Sequence, residues 1–145
     1  MIKSSLPLKI FLILSGLIGV VVGLAILLFP VRFYAISGIV LGGNVSLLNE
    51  IRAPGGSLIA SGSLVLLGGY IKRLTYTSLV VSTLTYLGYG CARMLSMAVD
   101  GRPTTDLIIV AVGEIVIGLG GVCLWAKYAR AESANHCNLK GEICQ

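Results

Sequence analysis

Long apolar runs separated by short polar connections limit this chain to very few folds. Crossing the hydrocarbon layer of a bilayer as a helix takes about 20 consecutive apolar residues. Four stretches, 10–29, 54–71, 74–98 and 107–126, meet that length. Of the 145 residues, 56% are hydrophobic and only 12% charged, which is not the balance of a soluble domain. The sequence therefore reads as an all-α, polytopic membrane protein with four transmembrane helices in one bundle. Helices are required because lipid offers no partner to an unsatisfied backbone N–H or C=O. Residues 1–130 form a single unit, since no segment outside the spans is long enough for a core of its own. Residues 131–145 read as a polar cytoplasmic tail.

Short turns join the second span to the third and the third to the fourth, so these should be antiparallel neighbours. The connection of residues 30–53 is longer, and its Phe33, Tyr34, Ile36 and Ile39 are too apolar for a free loop. A short helix lying in the membrane interface is expected there. A signal peptide is the competing reading of the N-terminus, because Lys3 and Lys9 precede an apolar run. That run is about twice the usual length and lacks a small-residue cleavage pattern before Pro30, which favours a retained helix.

Basic residues set the orientation. Lys3 and Lys9 precede span one, Lys72 and Arg73 fill the turn after span two, and Lys127, Arg130 and Lys140 follow span four. Arg32, Arg52 and Arg102 lie on the other side. Both termini are thus expected in the cytoplasm, with the chain in the cell membrane. The net charge of +5 is explained by a cytoplasmic rim facing the lipid headgroups and calls for no nucleic acid.

Arg93 and Glu114 lie inside spans three and four. A charge at bilayer depth costs roughly 3 kcal/mol on insertion scales, so it turns inward and finds a partner or water. At 1.5 Å per residue, Arg93 lies about 8 Å before the outer end of its span and Glu114 about 10 Å past the outer start of its own. The depths match. Glu50 and Arg52 precede span two on the same side, and Asp100 and Arg102 occupy the turn between spans three and four. Glu50, Arg52, Arg93, Asp100 and Glu114 are therefore expected to line a polar pocket in the outer half of the bundle, with Tyr86 and Tyr89 as its hydrogen-bonding wall. The plainer alternative is an Arg93–Glu114 pair that only fixes helix pairing, since desolvation can exceed Coulomb attraction. Asn49 to Gly56 also reads as a helix cap, and Asp100-Gly101-Arg102-Pro103 as a tight turn.

Helical phase supports inward-facing polar stripes. Ser78, Ser82, Tyr86, Tyr89, Arg93 and Ser96 recur at three- and four-residue steps, as do Ala111, Glu114, Gly118 and Gly121. Ser57, Ser61 and Gly68 mark one face of span two, and Gly16, Gly19 and Gly23 one face of span one. Gly-x-x-x-Gly spacing lets helices approach closely, either within the bundle or in a homo-oligomer.

Asn49-Glu50-x-Arg52 with Gly55-Gly56, Gly90-x-Ala92-Arg93-x-x-Ser96, Asp100-Gly101-x-Pro103 and Glu114 together resemble the motifs of a bacterial four-helix membrane family called domain of unknown function 4345. That family is similar in turn to the wider DoxX-like, or DoxD-like, group. The likeness covers the four spans and not the tail. It implies the four-helix fold and recurrent charged positions, and it carries no established activity. Some DoxX-like proteins are associated with redox or quinone chemistry, an analogy at the level of fold.

Cys91 and Cys123 lie within spans, where a small soft side chain needs no special role. Cys137 and Cys144, with His136, match no zinc spacing. No metal site is expected, and no cofactor can be named. Three functions remain open. The leading one is an accessory protein that binds a small amphipathic molecule, a lipid headgroup or a quinone-like compound. The others are an intramembrane enzyme with Glu50 or Glu114 carrying a proton and Arg93 holding an anion, and a small transporter along the polar stripe.

Overall fold

The computed structural model describes residues 6–143, with side chains described through residue 128. It is all helical: α1 (Leu6–Leu28), α2 (Pro30–Ile36), α3 (Val45–Tyr70), α4 (Thr75–Asp100) and α5 (Thr105–Ile143). Among the described residues, three helices are long and apolar enough to cross a membrane: α1, α3 and the Thr105–Tyr128 part of α5. Their outward faces carry Leu14, Leu17, Val21, Val112, Val116 and Leu119, all exposed. This surface marks a membrane protein, because large continuous apolar faces are not left to water. Four spans were expected. α4 has the length, at 26 residues, but its run of hydroxyls and Arg93 dilutes its apolar character below that of the other three. The features of the chain's ends, Lys3 and the tail with His136, Cys137 and Cys144, lie outside the residues whose side chains are described.

α3 begins nine residues earlier than the hydropathy suggested. Asn44 caps it, its side-chain oxygen accepting from the backbone N–H of Ser46 (3.0 Å) and of Leu47 (3.2 Å), which satisfies two of the four orphan donors of a helix start. Pro54 therefore lies inside the helix and removes only the bond that would reach the Glu50 carbonyl. A seven-residue helix, α2, does occupy part of the 30–53 connection. Pro30 opens it at a position where a missing N–H costs nothing, and Gly38, at φ 76°, closes it. Thr104 Oγ1, at the α4–α5 turn, donates to the Ser37 carbonyl (3.3 Å) and ties α2 to that end of the bundle.

α1 and α3 form the tightest pair. A Cβ placed on Gly16 would stand 2.8 Å from the Gly62 carbonyl oxygen, and one on Gly23 would stand 2.7 Å from that of Gly55. Glycines seven residues apart on each antiparallel helix thus meet in register, with Gly19 between them against the Cα of Gly62. The small-residue stripe of α1 is used up in this contact. α4 and α5 form a second pair by a related device: Gly90 lies under Ile115, Gly118 under Leu87 and Gly121 under Thr83.

Hydroxyl groups on one face of α4 join the two pairs. Thr75 Oγ1 donates to the Gly68 carbonyl (2.9 Å) and Ser78 Oγ to that of Leu64 (2.8 Å), both on α3. Further along, Ser82 Oγ donates to Ser15 Oγ (3.2 Å) and Tyr86 OH to the Ser15 carbonyl (2.6 Å), both on α1. Thr75, Ser78 and Ser82 are buried, and no buried side-chain polar atom is left without a partner among the described residues. Leu8, Leu12, Val65 and Leu79 form the apolar core at the same level, with Phe11 and Leu124 packed against it. α3 and α4 are therefore closely joined in the half of the bundle nearest the α3–α4 turn, and they part in the half nearest α2 and the α4–α5 turn.

The register of α1 on α3 predicts a sharp contrast between two glycines of one helix. In Gly62→Leu the new side chain meets backbone atoms of Gly16 and Val20 at 2.9 Å, and detergent-induced unfolding in mixed micelles should show a loss of about 3 kcal/mol. Gly56→Leu, with nothing within 4 Å, should stay within about 0.5 kcal/mol of the parent.

Candidate functional site

Arg93 and Glu114 meet as their matched depths require. The Nε–H of Arg93 donates to Glu114 Oε2 at 3.0 Å, and the pair is the one salt bridge among the described residues. α4 supplies Arg93 three residues beyond Gly90, where the absent side chain lets α5 approach. The Arg93 side chain keeps 34% of its surface exposed and Glu114 15%, so neither is fully withdrawn from the surroundings. Only Nε of Arg93 is engaged, and the Nη fork makes no hydrogen bond among the described residues.

The remaining charges do not join them. Glu50, Arg52 and Asp100 are exposed, and none makes an ion pair with the central two among the described residues. Asp100 instead accepts from Ser96 Oγ (3.0 Å) on its own helix. The expected buried pocket lined by five charges is not formed: no described charged residue is buried. The physical reason is the length of α3, whose early start carries Glu50 and Arg52 along an exposed flank instead of delivering them at a cap beside α4. Tyr86 also plays a different part from the one expected, because its hydroxyl is committed to the Ser15 carbonyl.

Tyr89 does line a space. An open groove of about 440 Å³ runs between α3 and α4, bounded by Ser57 and Ser61 on one side and by Thr85, Gly88, Tyr89 and Ala92 on the other. The gap enclosed among α1, α3 and α4 measures only about 20 Å³, scarcely one water. Space for anything larger than water thus lies at the side of the bundle and not at its centre. The groove lies where the α4 hydroxyls no longer reach α3. Ser57 and Ser61 turn back on their own helix, donating to the carbonyls of Pro54 (3.0 Å) and Ser57 (2.9 Å) respectively, so they line the groove without bridging it.

Sequence reasoning passed over one member of this region, Tyr34 of α2. Burial pushes its phenol above the ordinary value of 10.0, the Arg93 guanidinium acts against that rise and Tyr89 adds to it, which places Tyr34 within electrostatic reach of both. Nothing in the spacing of a seven-residue helix could have shown that α2, which packs against α1 and α3, carries Tyr34 to this end of the bundle. Arg93, Glu114, Tyr34 and Tyr89 are then the groups gathered at the open half of the bundle. Among the described residues no group of three or more His, Cys, Asp or Glu is placed to hold a metal ion.

Residues 7–126 match the family described as Domain of unknown function (DUF4345). The chain belongs to the DUF4345 family. No curated protein and no solved structure matches it. The match spans α1 to the apolar part of α5, so the Arg93–Glu114 pair and both sides of the groove lie within the DUF4345 region.

A pair that fixes α4 against α5 should reveal itself in a double-mutant cycle. The destabilisations of Arg93→Gln and Glu114→Gln should sum to more than that of the double variant. The coupling should be about 1 kcal/mol, since both side chains keep contact with their surroundings. A coupling of zero in the same unfolding assay would mean that the contact fixes nothing.

Proposed function

We propose that this DUF4345 protein is an accessory protein of the cell membrane that binds one small amphipathic molecule at the side of its bundle. The carrying observation is the groove between α3 and α4, with hydroxyls along an otherwise apolar lining and Tyr89 and Ala92 at the end where Arg93 follows on the next turn of α4. Ligand sites are mostly apolar, with a few placed polar groups that set orientation. The groove meets that description at the volume of a small ligand. A lipid headgroup or a quinone-like ring would be held in the same way, the second in keeping with a distant DoxX-like kinship.

In this reading α4 is a fourth span. Its polar face is sheltered by α1, α3 and α5, so the side facing lipid stays apolar enough. α2 then lies at the outer interface, and both termini are cytoplasmic. The topology has a direct check. In a cysteine-free background, Lys72→Cys and Arg102→Cys should react with a membrane-impermeant maleimide from opposite faces of sealed vesicles. Reaction from the same face would remove α4 from the spans.

Occupancy of the groove is tested by filling it. Gly88 has nothing within 4 Å of an added Cβ, so Gly88→Leu should fold normally while closing the space. Native mass spectrometry of gently extracted protein should show a small amphipathic molecule on the parent chain and none on Gly88→Leu. Bare protein in both samples would leave the helix pair and its salt bridge with a scaffold role only.

A further inference from the structure

The chemistry around Arg93 narrows the ligand class, an inference that rests on the groove reading above. Glu114 engages Arg93 through Nε alone, and this contact holds the guanidinium plane while leaving both Nη groups free to donate. A planar fork of N–H donors matches two oxygens of one carboxylate or phosphate, a geometry an ammonium cannot reproduce. The side chain is 34% exposed, enough for a head group to reach it. Tyr89, four residues before Arg93, stands on the same face of α4 and also lines the groove. The Tyr89 hydroxyl makes no hydrogen bond among the described residues, so it is available as a donor to an acceptor held by the fork.

Charge sets a further limit. Glu114 already offsets Arg93, and every additional negative charge brought to the fork also approaches the Glu114 carboxylate. A head with a single negative charge and two oxygens gains the bidentate contact at the least repulsion. A doubly charged head gains the same contact and is repelled more. The apolar part of the same molecule has its place in the groove that ends at Tyr89 and Ala92.

We propose that the site takes a singly anionic amphiphile, its carboxylate or phosphodiester head on the Arg93 Nη fork and its hydrocarbon chain between α3 and α4. In this arrangement Glu114 is a positioning residue that aims the guanidinium, and Tyr89 completes the head-group contacts.

The full chain, reconstituted in phosphatidylcholine nanodiscs, is offered oleate, phosphatidylglycerol, diacylglycerol or inorganic phosphate, and retention is read by native mass spectrometry. The parent protein should hold one oleate or phosphatidylglycerol per chain in preference to diacylglycerol. Arg93→Gln should lower that retention about tenfold, and Arg93→Lys should restore only part of it. Gly88→Leu should abolish it with Arg93 intact. Tyr89→Phe, which keeps the fold's packing, should weaken retention about threefold and gives the answer if Arg93→Gln fails to fold. Equal retention of diacylglycerol by the parent and by Arg93→Gln, lost in Gly88→Leu, would overturn the anionic head while sparing the groove. Inorganic phosphate held as firmly as the amphiphile would overturn the role of the chain. A parent protein that retains none of the four would overturn this proposal and the groove reading together.

Discussion

Backbone contact between α1 and α3 is the constraint on which the rest of the bundle depends. Lipid tails are as apolar as leucine, so helices in a bilayer gain nothing by hiding hydrocarbon from one another and are held by close packing and hydrogen bonds. Gly16 against Gly62 and Gly23 against Gly55 bring two antiparallel backbones to a separation that no side chain would tolerate. Slipping either helix by one residue would drive Cβ atoms into carbonyls. The pair is therefore specified in register as well as in partner, and it presents Ser15 and the carbonyls of Leu64 and Gly68 at fixed positions for α4 to meet.

α4 answers that surface with hydroxyls at three- and four-residue steps. Each buried hydroxyl lies against a carbonyl or hydroxyl of α1 or α3, so the polar face that keeps α4 from reading as a simple span is the same face that attaches it. Beyond Tyr86 no α4 hydroxyl reaches α1 or α3 among the described residues. α3 and α4 face each other there over an open groove, and the next polar contact of α4 with another helix is the one with Glu114 on α5. A single periodic stripe thus changes its work along its length, from docking at Thr75, Ser78, Ser82 and Tyr86 to lining a space at Tyr89 and holding an ion pair at Arg93.

Much of this was legible in the chain. Apolar runs located the long helices, the three- and four-residue recurrence identified the buried face of α4, and matched depth brought Arg93 to Glu114. Three points were not. Asn44 begins α3, but Pro54-Gly55-Gly56 looks like a stronger boundary because one proline inside a long membrane helix costs only one hydrogen bond, which sequence inspection tends to overrate. Glu50, Arg52 and Asp100 share a level with Arg93, yet level along the bundle says nothing about angle around it, and all three face outward. Tyr34 reaches the site through the fold of a short connection, which leaves no periodic trace. Three of the four expected spans are long and apolar enough by composition; α4 falls short because hydropathy judges it by its average composition and not by which of its faces is covered.

The groove between α3 and α4 opens sideways and not toward either end of the bundle. With α4 in the bilayer, as proposed above, an amphiphile would reach such an opening by diffusion within the plane of the membrane, already stripped of water. Its occupancy would then follow its mole fraction among neighbouring lipids and not its concentration in solution. The same groove on the same chain would be filled in a membrane rich in its ligand and empty in one that is poor in it, so the state of the protein would report on the composition of the leaflet around it.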